Sequence, residues 1–159
     1  MQEQNEQTES RWQKIGTQGE VLAIDALHWA AAVDKKTKLM WAINPSEMTD
    51  FPNSNKKMSW GDAMAWAEYV NTQGWCGFKD WRLPTLKELK TLITKNKQPN
   101  LFIREDIFND INIESCCVWS SSPFTRLSYH WWVVHFGDGD SNCKIKYNRN
   151  NVRLMRSGQ

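Results

Sequence analysis

The stretch Asp80-Trp81-Arg82-Leu83-Pro84-Thr85-Leu86-Lys87-Glu88-Leu89 decides how the rest of the chain is read. Pro84 disfavours helical geometry at Leu83, so the backbone arrives extended. Thr85 suits an N-cap, and Glu88 stands three residues on, the spacing of a capping box. Leu86, Leu89, Leu92 and Ile93 then recur with helical period. The expectation is an extended corner feeding a helix from 86 to about 95. Arg82, set between Trp81 and Leu83, is expected half-buried against a carboxylate or carbonyls. Trp81, Arg82, Pro84, Thr85 and Glu88 are therefore given structural roles.

Upstream, Ser59 has the character of an N-cap for an earlier helix. Ala63, Met64, Ala67 and Val70 form its expected buried stripe, Trp60 and Trp66 border it, and Gly74 stops it. Apolar runs at 29–33 and 39–43 flank the charged residues 34–38, which predicts a β-hairpin. Residues 44–57 are rich in Pro, Asn and Ser and read as loop. Residues 21–27 fit either a short strand or a turn of helix. Residues 1–14 are polar and read as a disordered arm, leaving 15–159 as a single domain.

Downstream, 101–114 reads as a long connection and 117–122 as a core strand carrying Trp119. In the strand 131–136, period-2 alternation places Trp132, Val134 and Phe136 on one face and Trp131, Val133 and His135 on the other. A turn at 137–141 returns the chain to a partner strand at 144–147. Residues 148–151 make another turn, and Val152, Leu154 and Met155 close the chain in a last strand. Two early helices followed by antiparallel strands give an α+β order, with two helices packed on an antiparallel β-sheet and long loops. No repeat of 20 to 50 residues is present.

Composition narrows the function classes. A chain of 159 residues is one domain, and its net charge of +2 lacks the electrostatic footprint of a nucleic-acid binder. No apolar run reaches membrane-span length. The first ten residues have no apolar signal core, so no secretory signal is expected. The compartment stays open between the cytoplasm and delivery to the surface by another route. Cys76, Cys116, Cys117 and Cys143 form no CxxC, and only three histidines accompany them. No metal and no cofactor are expected. Four cysteines allow three full pairings, among which the sequence does not choose.

Taken in series, several motifs resemble the bacterial family named for the C-terminal domain of the Legionella collagen-like protein. They are Thr37-Lys38-Leu39-Met40-Trp41, then Cys76-Gly77-Phe78-Lys79-Asp80-Trp81-Arg82-Leu83-Pro84-Thr85 with Glu88-Leu89, then Trp119-Ser120-Ser121-Ser122. Trp132-Val133-Val134-His135-Phe136-Gly137-Asp138-Gly139 and the terminal run from Val152 to Gln159 complete the series, which covers about 29–159. The resemblance implies a C-type-lectin-like fold, similar to the formylglycine-generating enzymes and to the variable proteins of diversity-generating retroelements. It also implies surface loops that bind, in a family whose members are often surface-attached and in some cases bind sulfated glycans. Some members carry Cys near the positions of Ala32 and Leu154, where this chain does not.

The C-terminal third holds the candidate binding chemistry. Lys144, Lys146, Arg149, Arg153 and Arg156 follow one another with no acid from Cys143 onward, and would form an anion site if they converge. Phe124, Arg126, Tyr129, His130, Trp131 and Tyr147 are the residue types that binding surfaces favour. The expected ligand-binding set is Arg126, Tyr129, His130, Trp131, Lys144, Lys146, Tyr147 and Arg149. The ligand would be a glycan, possibly sulfated, or a protein, and the exposed aromatics would also suit a homo-oligomer or an assembly module of a phage or surface appendage. Gln98-Pro99-Asn100 resembles the sugar-contacting triplet of calcium-dependent lectins but lacks a second cluster of oxygen ligands. The run from Gly137 to Asp140 reads as a hairpin turn. His28, His130 and His135 lie beside no nucleophile motif, so the expectation is a non-catalytic domain, with a formylglycine-type oxidase as the alternative.

Overall fold

The computed structural model describes residues 10–43, 57–94, 103, 106–108 and 117–158. Strands β1 (Trp12–Ile15), β2 (Ala31–Asp34), β3 (Leu39–Ala42) and β9 (Met155–Ser157) form one antiparallel sheet in the order β1-β2-β3-β9. Strands β4 (Lys57–Met58), β5 (Cys117–Pro123), β6 (His130–His135), β7 (Asp140–Ile145) and β8 (Asn150–Asn151) form a second, in the order β4-β8-β5-β6-β7. Among the described residues, only the β5–β8 pairing is parallel. Two α-helices, α1 (Trp60–Gln73) and α2 (Leu86–Lys90), are present among the described residues. The architecture is α+β and C-type-lectin-like, as expected, but it uses two open sheets where one was expected.

The helices lie on two separate cores, and the alternation of β5 and β6 divides residues between them. Trp119 and Val133 pack with Ala63, Trp66, Ala67 and Val70 of α1. Val118, Val134 and Phe136 pack with Leu89 and Leu92. The middle of β6 is buried on both faces, with Val133 in one core and Val134 in the other. Trp119 is fully buried, and its indole N–H donates to the Met58 carbonyl at 2.8 Å, tying β5 to the edge strand β4.

The extended corner joins these parts. The Asn71 side chain of α1 grips the Trp81 backbone on both sides: Nδ2 donates to the Trp81 carbonyl at 2.8 Å, and Oδ1 accepts from the Trp81 N–H at 2.7 Å. The Trp81 indole donates to the Trp75 carbonyl at 2.9 Å. Arg82 and Met155 exchange backbone hydrogen bonds, both 2.9 Å, and Ser121 N–H donates to the Pro84 carbonyl at 2.7 Å. Thr85 then caps α2 by accepting from Glu88 N–H at 3.2 Å, and Ser122 Oγ accepts from Leu86 N–H at 2.9 Å. The Glu88 carboxylate takes a two-bond fork from the Arg82 guanidinium, at 2.9 and 3.1 Å.

Several expectations change. Arg82 is exposed rather than half-buried, because its carboxylate partner stands on the outer side of α2. Helix α2 ends at Lys90 instead of about 95: Thr91, Leu92 and Ile93 bond three residues back, so the helix tightens into a 3₁₀-like turn. Met64 is 41 % exposed and Trp66 takes its place, since Ala63, Trp66, Ala67 and Val70 make the i, i+3, i+4, i+7 stripe. Trp12–Ile15 form an edge strand with Trp12 buried, so the proposed 1–14 arm does not extend to its last three residues. Lys57 belongs to a strand rather than a loop, as do Asn150 and Asn151. Val21 makes a single bridge to Ile15 within an otherwise irregular segment. The hairpin of β2 and β3, the Ser59 cap and the left-handed Gly74 stop are as expected. Residues 44–56, Gln98-Pro99-Asn100 and most of 101–114 lie outside the described residues.

Two predictions follow from this framework. Replacing Trp81 by Ala removes a buried indole and should cost about 3–5 kcal/mol in urea denaturation. Asp34 is fully buried at the β2–β3 turn. Burial alone would raise its pKa, but Arg11 at 2.6 and 2.7 Å, the Thr37 hydroxyl and the Lys36 N–H outweigh that and hold it below its ordinary 3.8. A lowered folded-state pKa gives stability that is complete above the unfolded value and is lost as pH falls through the folded one. The Asp34→Asn variant should therefore be less stable than the wild type at neutral pH, and the gap in denaturation midpoints should narrow as pH falls below 3.8.

Candidate functional site

The β5–β6 and β7–β8 connections bring most of the expected binding residues to one end of the second sheet. In register, His130 faces Ile145 and Trp131 faces Lys144. One step further, Lys146 N–H donates to the Tyr129 carbonyl at 2.8 Å, which carries the ladder past the strand ends. The Lys146 ammonium lies 4.7 Å from the Tyr129 ring centre and 5.1 Å from that of Tyr147. Both rings are exposed, at 61 and 68 %. The result is a cation held between two solvent-facing phenols.

Tyr129 adopts a positive φ of 60°, a region that side chains with a Cβ avoid. The turn over Thr125–Tyr129 imposes it: Phe124 N–H donates to the His130 carbonyl at 2.9 Å, closing the loop. Backbone strain of this kind costs about 1–3 kcal/mol and concentrates where a side chain must be aimed. His130 Nδ1 lies 2.8 Å from the Ser128 carbonyl, and Arg126 and Leu127 are exposed on the same turn.

Trp131 has a different part. Its ring stacks on Trp60 with centroids 4.2 Å apart and planes 24° apart. Trp60 is in turn fixed by its indole N–H to the Ser120 carbonyl at 3.0 Å and by its backbone N–H to the Lys146 carbonyl at 3.0 Å. Trp131 is thus half-buried and supports the surface from beneath. Phe124 packs edge-on against Trp132 on the opposite face of β6. Trp60 was missed as a support because a Trp at a helix start reads as a border of the core, and nothing local links it to residue 131.

The five cations of the last segment do not converge, which corrects the expected anion site. Arg153 is buried, donating to the Ala42 carbonyl at 3.1 Å with its guanidinium 4.8 Å from the Phe108 ring centre. Arg156 is bound to Asp80 at 2.6 and 3.3 Å and lies over Phe78. The Arg156 hydrogen bond holds the Asp80 carboxyl below its usual range. Arg149 reaches across to the Lys57 carbonyl at 2.9 Å, at the β4 edge. Lys146 stays on the aromatic surface, and Lys144 stands opposite Trp131 in the ladder.

The described cysteines Cys76, Cys117 and Cys143 are thiols; Cys116 lies outside the described residues. Burial, with Glu20 adding to it, pushes the Cys76 thiol up to about 12, and burial raises Cys117 as well. Nucleophilic thiols need the opposite shift. In the β6–β7 turn, Asp138 Oδ1 accepts from Asp140 N–H at 2.9 Å and lies 3.0 Å from His135 Nδ1. Among the described residues no group of three or more acidic, His or Cys side chains is placed to hold a metal, and no helix is long and apolar enough to cross a membrane.

These features define a C-type-lectin-like domain with an aromatic and basic surface at one sheet end. The sequence profile of the Lcl C-terminal domain matches residues 30–156, and the chain belongs to that family. None of the curated proteins matches it.

The two layers of the surface should separate in stability measurements. Trp131→Ala should cost about 2 kcal/mol through the lost stack on Trp60, whereas Tyr147→Ala should change stability by no more than about 0.5 kcal/mol.

Proposed function

We propose that this chain is a non-catalytic binding domain that recognises an anionic or polar surface ligand, with sulfated glycan the leading class and a protein surface the next. The observation that carries this reading is the Lys146 ammonium clasped by the exposed Tyr129 and Tyr147 rings. A lysine placed this way has its stem ordered before a ligand arrives, which lowers the entropic cost of contact. The phenols offer ring faces for stacking and hydroxyls for hydrogen bonding, and Lys144 adds a second positive charge. His130 and Arg126 border the patch, and Arg149 lies at its far margin.

The strained backbone at Tyr129 supports the same reading. Glycine would fit that φ without cost, so the tyrosine there has a use other than closing the turn. The resemblance to glycan-binding members of the family points the same way. In a diversified binding protein, these exposed tips are also where relatives would differ.

The test is a glycan array that includes sulfated glycosaminoglycans, read across salt concentrations. Binding to sulfated chains should weaken as salt rises, because the contacts are ionic and exposed. Tyr129→Ala with Tyr147→Ala, and separately Lys146→Ala, should lower affinity by roughly tenfold while leaving the unfolding midpoint almost unchanged. A blank array would remove the glycan reading and leave a protein ligand. Unaltered binding by these variants would remove the surface itself.

A further inference from the structure

A second site lies at the other end of α1. The helix runs about 20 Å from Trp60, beneath the aromatic surface, to Gln73, and Trp75 stands just past it. Trp75 forms one wall of an open hollow of about 470 Å³ that Glu20, Leu22, Leu27, His28 and Trp29 also line. This hollow shares no residue with the aromatic and basic surface.

Its walls are fixed in advance. The Trp75 indole N–H donates to the Ala30 carbonyl at 3.0 Å, and that of Trp29 donates to the Ile107 carbonyl at 3.0 Å. The buried Lys14 ammonium lies 3.9 Å from the Trp29 ring centre and bonds the Ala26 carbonyl at 2.7 Å, holding that ring from one side. Glu20 is pinned at two points: its carboxylate accepts from Gln18 N–H at 2.9 Å, and its carbonyl accepts from Gly16 N–H at 2.8 Å. The carboxylate rests directly over Gly16, where a Cβ would come within 2.0 Å of Oε1.

The chemistry of the wall selects a ligand class. Both indole donors are spent on backbone carbonyls, so the tryptophans present ring surface rather than N–H groups. Among the described residues, Glu20 supplies the only carboxylate in the lining and no lysine or arginine joins it. A carboxylate beside aromatic rings favours a cation, and because the Lys14 ammonium already occupies one side of Trp29, Glu20 and the Trp75 ring carry most of the attraction. Leu22 and Leu27 add apolar contact. We infer that this hollow binds an organic cation, an ammonium or guanidinium carried on an apolar stem, with Glu20 as its counter-ion and Trp29 and Trp75 as its walls.

The experiment follows the tryptophan indole N–H signals of the ¹⁵N-labelled full chain, assigned with Trp29→Phe and Trp75→Phe, during titration with n-hexylammonium. The Trp29 and Trp75 signals should move with a dissociation constant in the range of about 1 mM. Hexanol, of the same length without the charge, should bind about threefold to tenfold more weakly. Glu20→Gln should bring the ammonium down to the level of the alcohol. Gly16→Ala, which pushes the carboxylate away without touching the tryptophans, should do the same, and the undisturbed signals of the other tryptophans report that each variant is folded. Equal binding of amine and alcohol, full binding by folded Glu20→Gln, or no movement of the two signals would overturn the inference. A capped Leu-Lys-Leu peptide separates two sources of the same chemistry: tighter binding than the amine assigns the cation to a protein side chain, and no gain assigns it to a free amine.

Discussion

The backbone of Trp81 to Thr85 is extended, lies between two cores, and belongs to neither sheet as a regular strand. Its N–H and carbonyl groups must nevertheless find partners, because an unpaired buried group costs as much as a lost hydrogen bond. Asn71 of α1, Met155 of β9 and Ser121 of β5 supply them. One short segment therefore fixes the helix, the terminal strand and the central strand relative to each other. Pro84 suits the role because it carries no N–H that would need a partner.

That arrangement also sets the binding surface. With β5 held by Pro84 and Leu86, its neighbour β6 is placed so that Trp131 meets Trp60 at the start of α1. The Trp60 backbone then holds Lys146, and Lys146 holds Tyr129. The chain of contacts runs from the corner to the outermost phenol through packed rings and backbone hydrogen bonds. A surface built this way is ordered before it meets a ligand, although its tips are exposed loops.

Helix α1 gives the molecule two chemically different ends. One presents cations and phenols, and the other presents a carboxylate between indoles. The two ends suit ligands of opposite charge. Both use tryptophan as a fixed wall whose N–H is tied to the backbone, which accounts for part of the high tryptophan content.

Much of the frame was legible along the chain. The β2–β3 hairpin, the Ser59 and Thr85 caps, the Gly74 stop and the two-faced strand at 131–136 rest on local geometry and short periodicity, which a sequence displays directly. The motif series identified the family for the same reason, since its most specific run is the corner itself. The site was legible only as a list of residue types. Whether a cation is free or spent depends on partners far away in sequence: Arg153 on Ala42, Arg156 on Asp80 and Arg149 on Lys57, against Lys146 set between two tyrosines. The hollow between Glu20, Trp29 and Trp75 left no sequence signal, because its walls come from three separate segments. Sequence thus determined the elements and their ends, where the deciding contacts are local. Tertiary structure alone decided which charges and rings face solvent, because that depends on pairings across the whole fold.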